Sequence, residues 1–147
     1  MKRSEIIAEL EAECMQRFEE IAQALRLRYP QFRIKAGSGP VGGNTQFQGH
    51  HVYIDCDREA SEDPEPNCVA LEVCVRNLDI DPTLCTLHVT WGGDGVAPSD
   101  TADHLAENVR WSDGAVDLIR STLPKLAVEL HSCLQAWEDT YPITGNG

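Results

Sequence analysis

Three stretches of this chain alternate apolar and polar residues so regularly that each side chain's direction in a sheet follows. In His51-Val-Tyr-Ile-Asp-Cys56, the apolar residues Val52, Ile54 and Cys56 share one parity. Cys68 to Arg76 does the same with Val69, Leu71, Val73 and Val75, and Leu84 to Trp91 with Cys85, Leu87, Val89 and Trp91. Successive side chains of a strand point to opposite faces, so these residues form one apolar sheet face. Burying each large side chain is worth about 1.5–3 kcal/mol. A one-residue slip would carry the whole set into water, which makes the register strongly specified. Such a face must be covered.

The covers are legible at the two ends of the chain. Residues 4 to 29 read as a helix whose stripe is Ile7, Leu10, Cys14, Phe18, Ile21, Leu25 and Tyr29, recurring every three or four positions. Ser4 is the expected N-cap, and Pro30 ends the helix because the residue before proline avoids helical angles. Ser112 is expected to cap a final helix with the stripe Val116, Ile119, Leu123, Leu126, Leu130, Leu134 and Trp137. Pro124 should kink or split it. Residues 138–147 are read as a tail.

Before the three central strands, Gln31 to Ala36 alternates as a half-buried strand, with Phe32, Ile34 and Ala36 opposite Arg33 and Lys35. The second strand is expected from 47 to 57. Trp91-Gly-Gly-Asp-Gly95 should end the sheet, and the pattern after it supports either a short helix over 101–109 or a brief strand at 108–111. Strands joined by hairpin-length connections pair antiparallel. The expected fold is therefore α+β, a four-stranded antiparallel sheet with N-terminal and C-terminal helices on one face, ordered α-β-β-β-β-α-α. At 147 residues, one domain spanning 1–147 is expected, large enough to fold without staples.

The opposite sheet face carries the polar residues: His51, Tyr53 and Asp55, then Ala70, Glu72, Cys74 and Arg76, then Thr86, His88 and Thr90. With Asp79-Ile80-Asp81 at the hairpin tip, Glu72 falls opposite His88 and Cys74 opposite Thr86. Glu72 also falls beside His51 or Tyr53. Two imidazoles and a carboxylate suit a divalent ion such as iron or zinc with open positions. The same three groups, His51, Glu72 and His88, could serve general acid–base chemistry. A polar sheet surface on which His and Glu merely pair would look the same. His50 has the core parity and reads as a structural histidine. Cys74 lies diagonal to His88, a weak arrangement for a Cys–His nucleophile.

Other motifs resolve into structure. Gly37-x-Gly39-x-x-Gly42 has the spacing of a phosphate loop, but such a loop must open a helix, and here a strand follows. We read it as a flexible hairpin loop, with Arg33 and Lys35 close enough to bind an anion. Asp55-x-Asp57-x-Glu59 begins like a calcium loop, yet the glycine position holds Ala60 and the last ligand position Pro66, which excludes an EF-hand. The acidic stretch is a solvated loop or a recognition loop for a basic partner.

Twelve Lys and Arg against 24 Asp and Glu leave a net charge of −12. That charge repels nucleic acid and anionic membranes and favours a basic protein partner. Six cysteines without a Cys-x-x-Cys pair, behind an N-terminus that does not read as a signal peptide, suit reduced thiols in a cytoplasmic protein. No complete catalytic motif is present. The sequence therefore points to a non-enzymatic protein-binding module of the adaptor, chaperone or toxin-neutralising kind. It would act through Arg33, Lys35, Tyr53, Asp55, Asp57, Glu59 and Arg76, without a cofactor, and a homodimer could close its open face. The alternative is a small metal-binding protein or hydrolase that uses the His51, Glu72 and His88 row with a divalent metal.

Overall fold

A computed structural model describes residues 2–41, 49–58, 68–75, 84–92 and 103–140, giving backbone and register for 84–92 and 103–110. Helix α1 (Arg3–Arg28) leads into strands β1 (Phe32–Val41), β2 (Gly49–Arg58), β3 (Cys68–Val75), β4 (Leu84–Gly92) and β5 (Asp103–Arg110). A tight turn at Trp111–Ala115 then opens helix α2 (Val116–Thr140). The protein is α+β, and its sheet is an antiparallel meander in the order β1-β2-β3-β4-β5.

Among the described residues, five strands stand where four were expected. The additional one is Asp103–Arg110, read from sequence as a helix or a much shorter strand. Its residues, Asp-His-Leu-Ala-Glu-Asn-Val-Arg, lack the alternation that marks the central strands. Pairing with β4 holds it, through a register that shifts twice, between Cys85 and Leu87 and between Leu87 and His88. Trp91-Gly92 thus ends a strand but not the sheet.

The apolar parity is buried as expected. Val52, Ile54, Cys56, Leu71, Val73 and Val75 lie at 6% exposure or less, in one cluster with residues of both helices. The other apolar positions of that parity, Val69, Cys85, Leu87, Val89 and Trp91, have side chains outside the described residues. Helix α1 packs over β1 and β2, and α2 over β3 with some reach to β4. Successive described elements alternate in direction, so the two helices run parallel. Contacts agree: Glu13 of α1 meets Arg120 early in α2, and Tyr29 just after α1 meets Gln135 late in α2.

The contact stripe of α1 slants differently from the sequence reading. Ile6, Leu10, Cys14, Phe18, Ala22 and Leu25 are its buried residues, most of them on a row spaced by four. Ile7 and Ile21 flank that row, packed against the core but only partly buried. The small Ala22 takes an interior position on that row, at 0% exposure. At the helix start Lys2, not Ser4, is the cap residue, and its backbone N–H donates to the Glu5 carboxylate at 3.4 Å. At the other end α2 runs on through Glu138, Asp139 and Thr140, into the stretch read as tail.

Pro124 does not split α2. It lies on the exposed side, as does Arg120, whose carbonyl loses its helical donor and can turn to water. Gly114 is less replaceable. Its φ of +91° lies in the left-handed region, where any Cβ is strained. The turn at Trp111–Ala115 passes through it and aims α2 back across the sheet. Gly114→Ala should cost about 1–2 kcal/mol, read as a lower urea midpoint at unchanged slope. Phe18→Ala, at 0% exposure, should cost about 3–5 kcal/mol by the same measurement.

Candidate binding face

The glycines singled out in sequence belong to a strand, not a loop. Gly37, Gly39 and Pro40 all lie within β1 and pair with Tyr53, His51 and His50 of β2, whereas Gly42 lies outside the described residues. A Cβ at Gly37 would come within 2.6 Å of the Tyr53 hydroxyl oxygen and 2.7 Å of the ring. Tyr53 therefore leans across β1 into the space a side chain would fill. Its ring also packs on His51, with centroids 4.7 Å apart at an angle of 42°. The glycine at 37 is an aromatic's seat, which explains its presence in a strand that it would otherwise weaken.

From this seat the polar row continues inward. His51 Nδ1 donates to Glu72 Oε2 at 2.9 Å, with only 21% of the histidine and 15% of the glutamate side chain exposed. A carboxylate accepts and cannot donate, so the contact places a proton on Nδ1. Glu72 pairs directly with Tyr53 on β2 and with His88 on β4, and Cys74 pairs with Thr86. That is the register expected from the hairpin tip. Cys74 is diagonal to His88, as expected, and directly opposite His51, but it is fully buried, which leaves its thiol no approach to a substrate.

Asp55 completes the described face. The residue as a whole is exposed, yet its carboxyl is held above the usual pKa. Loss of water is the main cause, with repulsion from Glu72 and Asp57 adding to it against His51 and Lys35. Asp57 is paired with Arg33 Nε at 3.0 Å, both half exposed or more, a contact of modest worth in water. Lys35 pairs with Asp55 across the strands. Glu59 and Arg76, also expected on this surface, and most of the acidic loop lie outside the described residues. Among the residues whose side chains are described, no three His, Cys, Asp or Glu converge as a metal site.

His50 turns the other way, as its parity requires. Its Nε2 donates to Glu11 Oε1 at 2.8 Å, and Ser38 Oγ donates to the same oxygen at 2.9 Å. This polar cluster ties α1 to the end of the sheet. Both bonds, His50's first, hold the Glu11 carboxyl below the usual range. Arg120 does the same to Glu13 through bonds of 2.8 and 3.1 Å. Trp111 is buried, with its indole N–H bonded to Glu9, and Trp137 is buried beside Phe32. Both tryptophans are core anchors. On the helix side, hollows of about 350 and 270 Å³ adjoin between α1 and α2 and share Ile21, Ala24 and Ala127.

His104 was not singled out by sequence reasoning. It pairs with His88 in the β4–β5 register and so extends the Glu72–His88 row by one strand. Only the pairing reveals it, because no periodicity marks β5. Comparison with protein-family models, with curated proteins and with solved structures finds no match to the chain. No helix among the described residues is long and apolar enough to cross a membrane.

The carboxylates carry opposite pH signatures. Glu11 and Glu13 have folded-state pKa values below their ordinary 4.5. Their stabilisation is complete above that value and is lost as pH falls through the lower folded values. Asp55 is raised above 3.8, so its charge opposes folding at neutral pH and is relieved by acid. Glu13→Gln should lower the urea midpoint at pH 7 and flatten its fall below pH 4.5. Asp55→Asn should raise the midpoint at pH 7, and raise it less in acid.

Proposed function

We propose that the protein is a non-enzymatic protein-binding module that engages a basic partner through the sheet face opposite its helices. The observation that carries this reading is the geometry of that face, where Asp55 lies two residues from Tyr53 on β2 and Tyr53 pairs with Glu72 of β3, while loss of water raises the pKa of the Asp55 carboxyl. Residues held against stability are found where binding or chemistry needs them. Around it Tyr53 offers an aromatic surface braced by Gly37 and His51, and a net charge of −12 supplies long-range attraction for a cation-rich surface. Arg33 and Lys35 at the margin, together with Glu59 and Arg76, would set the orientation of the partner.

The second reading, a metal-binding protein or hydrolase, draws on the register that opposes Glu72 to His88. The two differ in what salt does. Screening shortens the reach of charges, to about 8 Å at physiological ionic strength, so a charge-steered complex weakens steeply as salt rises. Tagged protein should capture its partner from source-cell lysate at low salt and release it at high salt. Asp55→Lys and Asp57→Lys should abolish capture, whereas Glu20→Lys on α1 should not. Capture that ignores salt and both reversals on the sheet would exclude this reading.

A further inference from the structure

We infer that the row formed by Glu72, His88 and His104 across β3, β4 and β5 is a site for a divalent transition-metal ion, with His51 as the positioning residue that orients Glu72. Glu72 is the cross-strand partner of His88, and His88 is the cross-strand partner of His104. The three therefore occupy one row over β3, β4 and β5. Directly opposed residues of antiparallel strands have Cα atoms about 4.5–5.5 Å apart and share a sheet face. Three ligand-bearing residues in steps of about 5 Å are within reach of one central ion. Two imidazoles and one carboxylate form a set that leaves coordination positions open, as iron(II) and zinc accept.

Two further observations fall on the same row. The β4–β5 register shifts immediately before His88, and bulges of this kind re-aim a side chain and occur beside functional sites. Glu72 also accepts a hydrogen bond of 2.9 Å from His51 Nδ1, the outer support that metal-binding groups characteristically have. His51 cannot stand in for His104 as a ligand beside it. The two are on β2 and β5, three strand spacings apart, roughly 14 Å. This differs from the set suggested by sequence alone, which took His51 as a ligand and lacked His104. The metal site does not require a protein partner.

The test is cobalt(II) titration of the purified chain after chelator treatment, followed by visible absorption and native mass spectrometry. One equivalent should bind with a ligand-field band. His88→Ala and His104→Ala should each lose it, and His51→Ala should raise Kd about 10–100-fold. Far-UV circular dichroism separates loss of ligands from loss of fold. Should a variant misfold, zinc-induced shifts of the His88 and His104 ring nitrogens in the unaltered chain provide the second readout. Cobalt uptake equal in the wild type and a folded His88→Ala/His104→Ala double variant would overturn the proposal. So would a His104→Ala variant that binds like wild type. Because only metal and chain are present, either result leaves the partner reading to stand or fall on its own experiment.

Discussion

Burial of one sheet face beneath two parallel helices is the constraint on which everything else here rests. Val52, Ile54, Leu71 and Val73 reach solvent-free positions only if both helices stay in place, since all belong to one cluster with Phe18, Leu126 and Trp137. Parallel helices align their dipoles, which is mildly unfavourable. The polar ties between the elements act against separation: Glu13 to Arg120, Glu9 to Trp111, and Tyr29 to Gln135. None of these is a large contribution in water, but each holds a particular register of helix on helix. The apolar area holds the layers together, and the polar pairs select the alignment.

The same burial makes the other face polar by default and gives it freedom to specialise. With helices over one side, Tyr53, His51, Glu72 and Asp55 can interact laterally across strands rather than pack beneath anything described. The lateral chain runs from the edge inward: Gly37 yields space, Tyr53 fills it, His51 stacks on Tyr53, and Glu72 accepts from His51. Each step depends on the register of β1, β2 and β3, and that register depends on the core. A site of this kind is inexpensive to build on a sheet whose pairing is already settled. The edge strand is itself protected, since Arg26 Nε donates to the Ile34 carbonyl at 2.8 Å and Pro40 offers no donor.

Legibility followed the strength of the local signal. The central strands and the first helix were readable because burial on one side imposes a strong period, and the pairing of Glu72 with His88 came from hairpin geometry alone. Strand β5 was not readable, since Asp103, His104, Glu107 and Asn108 interrupt any alternation, and with it went His104. The continuation of β1 through Gly37, Gly39 and Pro40 was equally hidden. Glycine and proline are turn residues by local preference, and only the aromatic ring arriving from the next strand gives Gly37 a reason to lie in a sheet. The slant of the α1 stripe, with Ala22 inside and Ile21 at its flank, follows a row spaced by four that residue size does not reveal.

By itself, then, the sequence determined the parity of the central strands, the helical ends and the excess of negative charge, because these follow from side-chain period and composition. Tertiary structure alone decided that a fifth strand joins the sheet and that His51 turns its Nδ1 to Glu72. It also decided that His104 comes opposite His88. Those outcomes are contacts between residues far apart in the chain, and no local preference encodes which distant strand will arrive beside which.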